Sequence, residues 1–278
     1  VDPVTGAESG GITIPPLPGV RGIPSETDSP EWDTVRTFLN RRFSPKSVEA
    51  RKIRTREMVS AFIDEVIETG EIEFVEDLTA PLPGIVTIEI FGFPMDEWRT
   101  YAEPVHSLVY LKQDDPAFAE ASEGLMKFRS RLDEEIAWRR AKPQEDCPDD
   151  LLTHMAHGTF HGEPLTHTNI QEMGWQILSG GVDTTSAVAT NALLYLGRNP
   201  DKRQQLIDHP EILPKACEEF VRYFSPIHGA GRWAKHDGEI LDGWKLDKGD
   251  RIYMSYASAN RDPKIFEDPE ELKLDRAP

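Results

Sequence analysis

The sequence predicts a mainly helical protein with a small β portion in its C-terminal third. Three observations predict it. Up to about residue 224, apolar residues recur at three- and four-residue steps, the period of helices that bury one face. Ile170, Met173, Gly174, Ile177, Leu178 and Gly181 recur at such steps, and Val188, Ala189, Ala192, Leu193 and Leu196 continue the run, as in a long buried helix. After Phe224 short β-prone runs alternate with Asp-Gly and Lys-Gly-Asp turns.

Residues 1–30 are rich in Pro and Gly (Pro15, Pro16, Pro18, Gly19, Gly22, Pro24, Pro30) and read as loop. A short helix is expected from Glu31 to Arg42. Ser44-Pro45 introduces a longer one, Lys46 to about Glu68, with an apolar stripe of Val48, Ile53, Met58, Phe62, Ile63 and Val66. Pro81 and Pro83 divide Phe74–Phe91 into two helical pieces, because proline removes a backbone donor and crowds the preceding turn. Pro94 precedes a helix carrying Trp98, Tyr101, Val105, Leu108 and Val109, and another amphipathic stretch spans Pro116 to Ala141. The acidic loop Pro143–Asp150 follows. Asn199-Pro200 stops the central helix, and short helices continue to about Phe224. Ile227–Ala234, Glu239–Trp244 and Arg251–Tyr256 read as three strands. No repeat divides the chain, so 1–278 reads as a single domain: a loop region 1–30, a helical part 31–225, and 226–278 with the strands.

Lys and Arg total 31 against 49 Asp and Glu, a net charge of −18, with no basic stripe. That balance argues against a nucleic-acid partner. No stretch reaches the roughly 18 apolar residues of a membrane helix, and no charged-then-apolar leader opens the chain. Only Cys147 and Cys217 occur, far apart and outside any CxxC pairing. This argues against a disulfide framework or zinc knuckle and fits a reducing cytoplasm. A cytoplasmic monomer without membrane contact is expected.

The most informative residues are Gly180-Gly181-Val182-Asp183-Thr184-Thr185, at the centre of the long apolar helix. Two adjacent glycines there cost about 1 kcal/mol each against alanine. Asp-Thr-Thr sets a carboxylate and two hydroxyls where packing calls for Leu or Ala, and Thr hydroxyls back-bond one turn earlier and bend a helix. Local violations of this kind mark functional sites. The glycines let a flat ligand approach the backbone, and an acid beside an alcohol can pass a proton.

This hexapeptide resembles the oxygen-binding kink (Ala/Gly-Gly-x-Asp/Glu-Thr) of cytochrome P450 monooxygenases. From about Pro24 onward the chain is similar to the soluble bacterial branch of that family. Ser29-Pro30-Glu31-Trp32 through Arg36, then Asn40 to Pro45, is similar to its Pro-Pro-Glu-His-x-x-x-Arg…Phe-Ser-Pro segment. Asp77–Pro94 resembles its Pro-Leu-Pro helix. Glu219-Phe220-Val221-Arg222 matches Glu-x-x-Arg, Arg232 its strand arginine, and Ala259–Pro263 with Phe266–Pro269 the segment leading to the haem loop.

The resemblance implies a P450-like helical fold, haem b as cofactor, and insertion of one oxygen atom from O2 into an apolar organic substrate. Electrons would come from a ferredoxin or flavodoxin with its NAD(P)H reductase. Asp183 would relay protons and Thr184 would supply the hydroxyl, while Gly180 and Gly181 would face the haem. Arg36 and Arg232 would bind its propionates as guanidinium forks. Trp32 stands where relatives often carry a histidine and keeps one N–H donor. Ile177, Ile227, His228 and Gly229 would line the substrate side, with the glycines leaving room. Glu219 and Arg222 would form a structural pair, and the third basic partner falls at an acid, Glu271, with Arg276 the nearest substitute. The Phe-Gly-x-Gly-x-His-x-Cys-x-Gly loop that carries the iron-ligating thiolate has no counterpart. The axial cysteine is expected beyond Pro278, the fold to be incomplete at both ends, and the chain as it stands to be inactive.

Two other readings stay open. The chain could be a non-catalytic P450-like remnant. Alternatively His154, His157, His161 and His167 could hold a metal, since the first three fall at helical spacing. Gly158, Gly162 and Pro164 break any helix before all four converge, so these histidines read as polar residues of a connecting loop.

Overall fold

The computed structural model describes residues 12, 21–112, 114–240 and 243–276. Pro15, Pro16, Pro18 and Gly19 therefore lie outside the described residues. The chain divides into two compact units, Val20–Ser186 and a second that includes Ala187–Pro278.

The first unit is built on helices whose ends the sequence specifies. Helix α1 spans Glu31–Asn40 and buries Val35 and Leu39. Helix α2, Pro45–Val66, starts where the Ser44 side chain accepts from the Ser47 N–H and Pro45 takes a first-turn position that needs no donor. The expected break before Pro81 is a π-helical turn, Val75–Thr79. Helix α3, Pro81–Phe91, tolerates both prolines because they fall in its first turn. It ends at Gly92, whose φ of 97° is left-handed and where a Cβ would lie 2.2 Å from Asp150 Oδ2. Helix α4 spans Trp98–Tyr110 and α5 Pro116–Arg140, the latter capped by Asp115. Helix α6, Leu151–Ala156, is capped by Asp150. Strands β1 (Thr159–Phe160) and β2 (Glu163–Pro164) form a small antiparallel hairpin.

The core of this unit centres on Ile88, Phe91, Phe93, Phe128, Leu132 and Met155, all nearly solvent-free. Phe128 meets Phe91 and Phe93 edge to face, at 5.4 and 6.1 Å between centroids. Each such burial stabilises by roughly 1.5–3 kcal/mol before entropy is counted. Arg139, 2 % exposed, joins α5 to α6 through Asp150 Oδ2 (2.5 Å) and Thr153 Oγ1 (3.1 Å), and pairs with Glu135 one turn back on α5.

Helix α7, His167–Arg198, is the 32-residue central helix, and the division between the units falls within it. The second unit continues with α8 (Pro200–Asp208) and α9 (Leu213–Phe224). Strand β3 (Gly229–Trp233) pairs antiparallel with β6 (Arg251–Ser255), in the register Gly231 opposite Tyr253. Strands β4 (Gly238–Ile240) and β5 (Trp244–Leu246) form a hairpin, and α10 is Tyr256–Ala259. Ala216, Phe220, Leu272 and Leu274 form its core, with Tyr195 and Phe224 packed alongside.

Three sequence expectations need correction. Glu239–Trp244 is not one strand: Gly243, at φ 82°, separates the arms β4 and β5 of a hairpin, and Leu241 and Asp242 lie outside the described residues. The histidine region is not a plain loop, since His154 sits on α6 and His167 opens α7. The third strand, read as Arg251–Tyr256, ends at Ser255, because Tyr256 opens α10.

Candidate functional site

Asp183 and Thr184 lie midway along α7, both half-buried. Consecutive helical residues do not face each other, and here the two side chains find different partners. The Thr184 hydroxyl donates to the Gly180 carbonyl at 3.1 Å, the back-bond that its position one turn on allows. Asp183 turns to α4, where its Oδ1 lies 2.6 Å from His106 Nδ1. Their side chains are 24 % and 37 % exposed, so solvent reaches the pair. His106 is the site residue that sequence reasoning missed. It sits 77 positions away within the apolar pattern of α4, and nothing in its local sequence marks it.

The two glycines have different surroundings. A Cβ on Gly181 would lie 2.5 Å from Thr87 Oγ1, so this glycine serves the close approach of α7 to α3. Gly180 is exposed, and a Cβ there would meet only Gln176 Nε2 at 3.6 Å. Gly180 alone of the two leaves the helix surface open. Ile177 is half-buried and packs against the main core.

On α1, Trp32 and Arg36 stand one turn apart on the exposed face, opposite Val35 and Leu39. In the second unit Arg232, on β3, is also exposed and donates to the Gly231 carbonyl at 2.7 Å. Neither Arg36 nor Arg232 has a carboxylate partner among the described residues, in a chain with 18 more acids than bases. Ile227 is 52 % exposed, and the His228 carbonyl accepts from the Ala257 N–H at 3.1 Å. A Cβ on Gly229 would lie 2.4 Å from the Met254 carbonyl oxygen. That glycine therefore lets β3 approach β6 and does not enlarge a pocket.

Glu219 and Arg222 form a buried bidentate pair, with 2.7 and 2.9 Å between the guanidinium and the two carboxylate oxygens. Arg276 adds a third contact, Nε to Glu219 Oε2 at 2.9 Å, and the Lys273 N–H donates to Oε1 at 2.9 Å. Glu271 contributes only its carbonyl, to both arginines. Burial would push the Glu219 carboxyl up, but hydrogen bonds from Arg222, Lys273 and Arg276 outweigh it and hold it below its ordinary value.

The histidine-cluster reading does not hold. Among the described residues no three His, Cys, Asp or Glu side chains converge on a metal position. His154 stacks on Phe38 at 4.1 Å with its Nε2 3.1 Å from the Phe38 carbonyl, and burial lowers its pKa. His161 occupies a left-handed turn position near Thr34, and His167 Nδ1 faces Asp133 at 3.2 Å. His154, His157 and His161 line a surface groove of about 530 Å3 together with Phe38 and Arg41, which does not reach Asp183. Neither thiol is prepared as a ligand. Cys147 donates to the Pro143 carbonyl (3.5 Å), and partial desolvation, then Glu218, raise the Cys217 thiol.

Residues 18–276 match the family model for cytochrome P450, and the chain belongs to that family. It is 27 % identical over 252 residues to the polyketide biosynthesis cytochrome P450 PksS of Bacillus subtilis, covering 90 % of this chain and 60 % of that protein. It is 29 % identical over 260 residues to linalool 8-monooxygenase of Pseudomonas putida, covering 92 % and 62 %. The solved structure of PksS superposes with a TM-score of 0.81 at 26 % identity, over 91 % of this chain and 64 % of that one. The chain thus spans about three fifths of the length of these relatives. No helix among the described residues is long and apolar enough to cross a membrane.

Proposed function

We propose that this chain belongs to a haem-dependent monooxygenase that inserts one atom of O2 into a small apolar organic molecule. The observation that carries the reading is the acid–alcohol pair Asp183–Thr184 midway along α7, in a chain of the cytochrome P450 family. One relative, linalool 8-monooxygenase of Pseudomonas putida, supports the substrate class. Electrons would come from a ferredoxin or flavodoxin with its reductase.

Haem b, when bound, supplies the oxygen and electron chemistry; the protein supplies orientation, dryness and protons. The residues present suit it. In the first unit Arg36, without a carboxylate partner among the described residues, would hold a propionate, with the Trp32 indole N–H beside it; in the second unit Arg232, likewise without one among the described residues, offers the same guanidinium fork. Gly180 leaves the flank of α7 open to a flat ligand. In this reading the first unit gives Ile177 to the substrate space, and the second offers Ile227 and His228 at the entry to β3. Thr184 could turn its hydroxyl from the Gly180 carbonyl to hold a water, and Asp183 would bring protons from the solvent side.

Thr184→Ala in the holoenzyme should leave substrate binding within about twofold while diverting most electrons to hydrogen peroxide. Asp183→Asn should slow turnover by about 10- to 100-fold, the low end of general acid catalysis. Product and peroxide measured per NAD(P)H consumed decide it: unchanged coupling in both variants would refute the assigned roles.

A further inference from the structure

We infer that His106 is the positioning residue of the proton path: it holds the Asp183 carboxylate on the α4 side of α7 and fixes its rotamer. The inference rests on the monooxygenase reading for its purpose, but on geometry for its substance. Helix geometry points Asp183 and Thr184 in different directions, so the acid needs its own anchor if it is to stay in one place. The anchor is the 2.6 Å contact from His106 Nδ1 to Asp183 Oδ1, between helices and half shielded from water.

An ionised carboxylate can only accept a hydrogen bond, so His106 Nδ1 must carry the proton. This selects the Nδ1–H form of the neutral ring, and an imidazolium keeps the same bond. In either state the carboxylate is pinned away from the Thr184 hydroxyl, which is occupied by the Gly180 carbonyl. The acid is thereby held where solvent can load it. Its handover to the oxygen site then starts from one defined rotamer, the one His106 sets.

The test needs three variants in the full-length protein: His106→Leu, which removes the donor; His106→Asn, whose amide N–H can reach the same carboxylate oxygen; and Asp183→Asn. The first readout is a double-mutant cycle in urea unfolding, independent of haem chemistry. His106 and Asp183 should be coupled by about tenfold in the folding equilibrium, as expected for a hydrogen bond to a charged group. The second readout is the peroxide-to-product ratio of the holoenzyme. His106→Leu should raise it about tenfold, His106→Asn should restore it to within about twofold of wild type, and adding His106→Leu to Asp183→Asn should change nothing further. Zero coupling in the unfolding cycle would overturn the inference. So would equal peroxide ratios for the Leu and Asn variants, or additive effects with Asp183→Asn. A wild-type protein that binds no haem and consumes no dioxygen would instead overturn the functional reading, and the unfolding cycle would still decide whether His106 anchors Asp183.

Discussion

Replacing Glu219 with Gln tests how the segment after α10 is fixed to α9. Both carboxylate oxygens are ringed by donors: Oε1 accepts from Arg222 Nη2 and the Lys273 N–H, Oε2 from Arg222 Nε and Arg276 Nε. A glutamine amide can satisfy only one of these sides. Whichever way it flips, its NH2 group faces two donors, and both guanidinium groups lose their counter-charge. The Glu219 side chain is 1 % exposed and that of Arg222 is 7 % exposed, so water cannot compensate. Removing one partner of a buried pair costs about 3–5 kcal/mol. Arg276→Leu should cost less, about 1.5–3 kcal/mol for its contact to Glu219, because Arg222 still holds Glu219 bidentately and the bonds from Arg276 to the Glu267, Asp268 and Glu271 carbonyls are exposed. Urea unfolding followed by tryptophan fluorescence gives both values. The pH dependence provides a second measure. The folded carboxyl titrates below its unfolded value of about 4.3, so its contribution is complete above that pH and disappears as pH falls through the folded value. Glu219→Gln should remove that part of the acid limb. A loss under about 1 kcal/mol, or a variant order with Arg276→Leu the worse, would refute the network as the clamp.

Other substitutions test the packing and the ligand chemistry. Gly181→Ala should destabilise by about 1–3 kcal/mol, because the new methyl would lie 2.5 Å from the buried Thr87 hydroxyl, whereas Gly180→Ala should be neutral or stabilise by up to about 1 kcal/mol; thermal unfolding of both separates them. Asp150→Ala should cost about 3–5 kcal/mol by uncapping α6 and stripping Arg139 of a buried partner, and Asp150→Asn less, since it keeps the cap. Neither Cys147 nor Cys217 is placed as a thiolate, so the ferrous–carbon monoxide spectrum of this 278-residue chain should lack the red-shifted thiolate band; a clear band would refute that assignment.

What could be read in advance was what short-range chemistry encodes. Ser44-Pro45, Asp115-Pro116 and Asn199-Pro200 combine a polar residue with a proline in the first turn that follows, and each helix begins there. Arg276 could be named as the substitute for the acid at 271 because the family resemblance calls for a third basic side chain in that segment. A missing Cβ was less informative. Gly181 and Gly229 were read as room for a ligand, yet in both cases the space is taken by another part of the chain, Thr87 or the β6 backbone. A glycine in sequence says that something comes close and not what it is. The same limit hid His106. Its partner lies 77 residues away on another helix, and a single His within an apolar stripe looks like any half-buried ring. The motif supplied the acid and the alcohol, but only the fold could supply the group that decides where the acid points. An acid–alcohol pair on consecutive helical residues cannot share one direction, so whatever work the pair does must depend on an anchor from outside α7.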